Sequence, residues 1–191
     1  DPAAWRSLGP GALLGGSFQA HDIAVTPEAL AKLGKEAPYR AKIDFDANLE
    51  AAGGGGGVKL DIRGLTGGAL QQAIDTHLEA SIDAHGAKAT GGVKTGAVTL
   101  LAFELHSPLT RDDLLTGNVR TAALGGTVAL AKLPAVGEPP PAVQARPLLA
   151  VFGRHDVSAG TLAGTIQVGG TIGIPTAVAA ITAYNITIPA S

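Results

Sequence analysis

The sequence predicts an all-β protein, specifically an antiparallel β-sandwich or jelly roll of about nine to ten strands with one or two short helices. Two observations lead to this prediction. Apolar and polar residues alternate strictly in several segments, as they do in strands that bury one face. Glycine-rich stretches, which readily adopt turn conformations, separate those segments.

Three segments in the first half of the chain carry the alternation. Residues 74–85, IDTHLEASIDAH, have apolar or small residues at even positions and polar residues at odd positions. Residues 39–50, YRAKIDFDANLE, and 58–63, VKLDIR, repeat the pattern. A spacing of four from Leu70 to Ile82 also allows a helix, but only a period of two accounts for all of residues 74–85. The segments therefore predict an antiparallel meander with one buried face.

The second half of the chain contains shorter candidate strands. The apolar run AVTLLAFEL within residues 93–106 predicts a strand that is buried on both faces. Further strands are expected near residues 119–123, 127–133, 148–153, 161–168 and 176–188. The proline-rich stretch 134–147 is predicted to be a long surface loop, because the 44 residues that follow it are few for a separate domain.

Two short helices are predicted between strands. Thr26 can cap a helix that begins at Pro27 and continues through EALAKLGKEA, which is the usual order of start signals. Ser107 or Thr110 can cap a second helix through RDDLLT, and Gly117 is a suitable C-terminal residue for it.

The domain organisation follows from these elements. Residues 21–191 are expected to form a single β-sandwich domain, preceded at residues 1–20 by an N-terminal arm or a first strand. Residues 7–20 carry no charge and include the apolar run SLGPGALLGGSF. Such a segment is suited to adding a strand to the sheet of a neighbouring subunit.

The C-terminal end of the chain is unusual in its lack of charge. Residues 157–191 include no Asp, Glu, Lys, Arg or His. Strands at a free sheet edge normally carry charges that prevent aggregation, so these residues are expected to be covered by a second sheet or by another subunit. The predicted assembly residues at the two ends are Leu13, Leu14, Phe18, Ile172, Ile174, Val178, Ile181, Tyr184, Ile186 and Ile188.

Only weak candidates exist for a metal site. Asp75, His77 and Glu79 would project from one face of a strand at steps of about 7 Å, and carboxylates with a histidine can bind divalent cations. His85 lies about 26 Å beyond His77 along an extended strand and cannot share its ion. The solvated face of a half-buried strand explains this row better than a metal site does.

Composition argues against several classes of function. The net charge of −2 and the absence of a basic cluster argue against nucleic-acid binding. There is no cysteine, and neither a phosphate-binding loop nor a known catalytic motif occurs, so no cofactor and no enzymatic activity are predicted. Residues 172–190 have the length of a membrane-spanning helix, but Gly173, Pro175 and Asn185 make them a poor one, and no transmembrane helix is predicted.

These observations predict a non-enzymatic structural subunit that associates with copies of itself through its uncharged terminal strands, in donor-strand fashion, to form an extracellular filament or surface layer. The start at Asp1-Pro2, without methionine, suggests removal of a secretory signal and hence a location outside the cell or at its surface. A small-residue β-domain with uncharged ends is also similar to viral jelly-roll shell proteins, so a virion capsid or decoration protein is an alternative. A secreted ligand- or metal-binding β-sandwich is a second alternative.

Overall fold

The computed structural model describes residues 15–32, 37–50, 55–135 and 137–189. The strands in these ranges are β1 (Gly16–Val25), β2 (Arg40–Leu49), β3 (Gly56–Gly67), β4 (Leu70–Ile82), β5 (Ala87–Thr95), β6 (Val98–Ser107), β7 (Gly125–Leu130), β8 (Ala142–Gln144), β9 (Ala159–Thr171) and β10 (Ile174–Thr187). The helices are α1 (Pro27–Lys32), α2 (Arg111–Thr116), a 3-10 helix (Asn118–Thr121) and α3 (Ala145–Val151).

All ten strands belong to one open sheet, and every pairing in it is antiparallel. The order across the sheet follows the chain from β1 to β7 and then continues with β9 and β10. The short β8 pairs with residues 161–163 of β9, whereas β7 pairs with residues 165–168. The predicted all-β antiparallel class is therefore confirmed. A sandwich or jelly roll is not confirmed, because the described strands form one sheet and not two packed sheets.

The strand register sorts the side chains into two faces, as expected for a period of two. Side chains at paired positions form apolar rows on one face, which we call the inner face. One row consists of Phe18, Ala47, Val58, Ala80, Ala89, Leu105 and Gly126, and the next consists of Ala20, Phe45, Leu60, Leu78, Gly91, Phe103 and Val128. The intervening residues of β2 to β4 are mostly charged or polar and lie on the outer face.

One glycine in these rows is required by close packing. The ring of Phe103 on β6 lies against Gly91 on β5, and a Cβ at that position would collide with the ring and with the His77 carbonyl oxygen. Glycine therefore allows an aromatic residue to lie flat on the inner face.

The closed core occupies one end of the inner face. Leu100, Leu130, Val143 and Val151 are buried there, and Leu148 of α3 packs against them. β4 begins and β5 ends at this end of the sheet. α3 covers the inner face there.

Both predicted helix starts are confirmed. Thr26 Oγ1 accepts a hydrogen bond from Ala29 N at 3.2 Å, and α1 begins at Pro27. Thr110 and Asp113 form a capping box at the start of α2. Gly117 ends that helix in the left-handed conformation, at φ 79°.

Three predictions for the second half are wrong in detail. Residues 118–121 form a 3-10 helix where a strand was predicted near 119–123, and α3 replaces the strand predicted near 148–153. The loop predicted at 134–147 is interrupted by β8 and by the start of α3. By periodicity alone, the apolar run of α3 is compatible with a strand or with a helix. The helix buries Ala145, Ala150 and Val151, and this packing favours it over a strand.

The prediction of an N-terminal arm or first strand at residues 1–20 stays a prediction. Gly16 to Val25 form the first strand and pair with β2, while residues 1–14 lie outside the described residues. The division at residue 20 and the single-domain organisation stay predictions.

We predict that Leu100→Ala lowers the free energy of unfolding by about 2–5 kcal/mol, because it leaves a cavity in the core at the end of the sheet that α3 covers. Leu100 is 2% exposed, whereas Val98 on the same strand is 38% exposed. Val98→Ala is the matched control and should cost much less. Urea unfolding of the two variants measures the difference, and equal losses would contradict this placement of the core.

Candidate binding groove and exposed edge strand

The inner face is uncovered at the end opposite α3, where it forms a groove of about 730 Å³. Its floor consists of two neighbouring rows of residues. The first row includes Ala47, Val58, Ala80 and Ala89, and the second includes Leu49, Gly56, Ile82 and Ala87. Leu109, Leu114, Leu124 and Ile172, which lie outside strands β1 to β6, also line it. Because β1 and the turn after β9 line one groove, the sheet must curl around it.

The size of the floor side chains explains why the groove exists. The first of these rows has three alanines and one valine on β2 to β5, whereas the next row towards α3 has larger residues, including Phe45 and Phe103. Gly56 adds space near Leu49 and Ile82, where a Cβ would lie 3.1 Å from Leu49 Cδ1. Small residues therefore leave an unfilled volume beside a row that is filled by aromatic rings.

No charged group of the described residues is directed into this groove. Among the described residues that line the groove, only Lys88 and His106 are ionisable. Lys88 Nζ pairs with Glu104 Oε1 at 3.1 Å, and the His106 ring lies against Gly125, so both side chains turn to the outer face. A charged or strongly polar group inside the groove would lose its hydration without compensation.

The second feature is the edge strand β10. Every residue of β10 is exposed, and its only strand partner in the described part of the chain is β9. The exposure of its large apolar residues ranges from 38% for Ile186 to 75% for Ile174. The predicted assembly residues with this exposure are Ile174, Val178, Ile181, Tyr184, Ile186 and, just after the strand, Ile188.

The remaining predicted assembly residues lie elsewhere. Phe18 and Ile172 line the groove, and the Phe18 ring contacts that of Phe45 at a centroid distance of 5.9 Å. Leu13 and Leu14 lie outside the described residues. The structure therefore divides the described members of the predicted set between the groove and the β10 edge.

The opposite edge of the sheet is protected. β1 has an irregularity between Ala20 and Ile23, where Asp22 adopts φ 52°. Asp22 also forms ion pairs with Arg63 at 2.9 Å and with Lys42 at 3.7 Å. Bulges and charges of this kind discourage pairing with a further strand, and β10 has no charge at all.

The weak metal candidates lie on the outer face. Asp75 Oδ1 accepts a hydrogen bond from Gly64 N at 2.7 Å. His77 Nδ1 lies 2.6 Å from Asp61 Oδ1, while Glu79 is exposed. Within the described ranges no three His, Asp or Glu residues are grouped so that they could hold a metal ion. The row belongs to a ladder of cross-strand polar pairs.

That ladder includes a carboxyl group with a perturbed pKa. Asp44 Oδ1 accepts a hydrogen bond from Asp22 N at 2.8 Å, and Asp44 Oδ2 lies 2.6 Å from Arg63 Nη2. The backbone N–H of Asp22, together with the positive charges of Arg63 and His21, lowers the pKa of Asp44.

No family model, curated protein or solved structure matches this chain. No helix in the described ranges is long and apolar enough to cross a membrane. The groove residues Ala47, Val58, Ala80 and Ala89 were not identified from the sequence. The feature that marks them is a small side chain at an inward position of each successive strand. This feature can be recognised only when the strand register is known.

We predict that Asp44→Asn reduces the sensitivity of the fold to acid. Since the pKa of Asp44 is lowered in the folded protein, its contribution is present above the ordinary carboxyl value and is lost as pH falls through the lowered value. Unfolding by urea between about pH 5 and about pH 2 should show a shallower loss of stability than in the parent. Thr90→Val, on the same face, removes no ionisable group and should keep the parent's slope. If Asp44→Asn lost stability with falling pH as steeply as the parent, this role of Asp44 would be contradicted.

Proposed function

We propose that this protein binds a long uncharged hydrocarbon chain, such as the alkyl tail of a lipid, in the groove of the inner face. The observation that carries the proposal is a groove of about 730 Å³ whose lining directs no charge inwards. This volume lies within the range of about 300–1,000 Å³ that is usual for small-molecule sites.

The energetics favour a chain over a compact polar ligand. Each CH2 that leaves water for an apolar site contributes about 0.8 kcal/mol. The floor of Ala47, Val58, Ala80 and Ala89 offers methyl groups and no hydrogen-bonding side chain. A polar head group would therefore stay outside the groove, in water.

A second candidate function is self-association as a structural subunit through the uncharged terminal strand. The exposure of all of β10, without one charged residue, supports it. Only the sequence supports the filament or surface layer, the virion alternative, the extracellular location and the non-enzymatic role. The predicted sandwich would require a second sheet packed on the inner face. A second copy of the chain could supply that sheet.

We predict that affinity rises with chain length. Across saturated fatty acids that differ by one CH2, displacement of a fluorescent fatty acid should give a Kd that falls about fourfold per CH2 until the groove is filled. Ala80→Phe fills the floor of the groove and should weaken binding at least about tenfold. Glu79→Phe places the same ring on the outer face of the same strand and should bind as the parent does.

Three results would count against this proposal. They are a Kd that does not depend on chain length, an equal loss in the two phenylalanine variants, and no binding by a parent protein that circular dichroism shows to be folded. If a second copy instead covered the inner face to complete a sandwich, Ala80→Phe would lower the molecular mass in solution.

A further inference from the structure

We infer that β10 pairs antiparallel with β10 of a second copy about a twofold axis. The inference rests on the proposed self-association and specifies its partner, its symmetry and its register. It follows from the backbone of β10, the absence of charge on it, and the difference between the two sheet edges.

Half of the backbone groups along β10 are free of β9. The Ile174 carbonyl oxygen and the Thr176 nitrogen both lie against Gly170 of β9, and the Ala180 carbonyl oxygen lies against Gly164. From Ile174 to Tyr184, where the register is regular, even-numbered residues therefore bond to β9, and odd-numbered residues direct their N–H and C=O groups to the free edge. Pro175, which has no N–H, stands at an odd position, so its presence removes no bond to β9.

The directions of the two edge strands favour β10 of a second copy as the partner. Along the sheet path of nine antiparallel strands, β1 and β10 run in the same direction. Joining β10 to β1 of a translated copy would create a parallel pair, in contrast to every other pair in the sheet, and it would use the edge that Asp22 protects. Joining β10 to another β10 about a twofold axis continues the antiparallel pattern and closes the assembly as a dimer.

The absence of charge also favours a second copy over an unrelated partner. None of the described residues from 157 to 189 is Asp, Glu, Lys, Arg or His, so two β10 edges meet without leaving a charge unpaired. A partner strand that carried charges would find no counter-ion on β10.

The register follows from the limits of regular pairing. β10 pairs without irregularity up to Tyr184, where its register with β9 shifts, and Pro175 limits it at the other end. Residues 176–184 are therefore the regular edge, and Ala180 is their centre. With Ala180 on the axis, Ala179 of one copy exchanges hydrogen bonds with Ile181 of the other.

Single cysteines test this register, since the chain has none of its own. In Ala180→Cys the two Cα atoms would lie about 4.5 Å apart across a non-hydrogen-bonded pair, within the range of disulfides. Oxidation should give a covalent dimer. In Val178→Cys, the matched control on the same face, the two thiols would lie about 14 Å apart along the strands and should not cross-link. Equal cross-linking of both variants would overturn the register.

Light scattering over a range of concentrations tests the symmetry. The parent should approach twice the chain mass and go no further, and Ala179→Pro should remain a monomer, because it removes an edge-facing N–H that the fold does not use. Growth beyond a dimer would overturn the twofold pairing but leave self-association in place. A monomer at every concentration would overturn both, and neither result bears on hydrocarbon binding.

Discussion

A single antiparallel sheet must bury its apolar face against something, and the described residues cover only part of it. At one end α3 and the residues around Leu100 and Val151 form a closed core. At the other end the same face forms an open groove with a floor of methyl groups. The core, the groove and the exposed edge are three consequences of one layer that the described residues cover only in part.

The small-residue composition decides where the cover is missing. Where the inner rows have aromatic residues, as at Phe45 and Phe103, side chains fill the space beside the sheet. Where the rows have alanine, as at Ala80 and Ala89, the space beside the sheet stays open as the groove. The outer face is held by exposed ion pairs, each of which contributes little to stability, so hydrophobic burial at the α3 end must dominate.

Much of the sheet could be predicted from the sequence. The alternation in residues 74–85 gives the faces of β4 correctly, and the caps at Thr26 and Thr110 locate two helices, because these signals are local. What covers a face is not local. Periodicity shows that Leu78 lies on an apolar face, but it cannot distinguish a second sheet from α3 or from an empty groove. The groove itself depends on the register of six strands, which side-chain alternation alone leaves undetermined.

The most direct test of the groove is X-ray diffraction from crystals grown with a long-chain fatty acid that carries bromine on its terminal carbon. The anomalous signal of bromine locates the end of the chain without reference to the protein. We expect one strong peak on the inner face, next to Ala80 and Ala89, with the carboxylate in solvent. A bromine peak only at some other surface, or an empty groove at saturating fatty acid, would contradict the account.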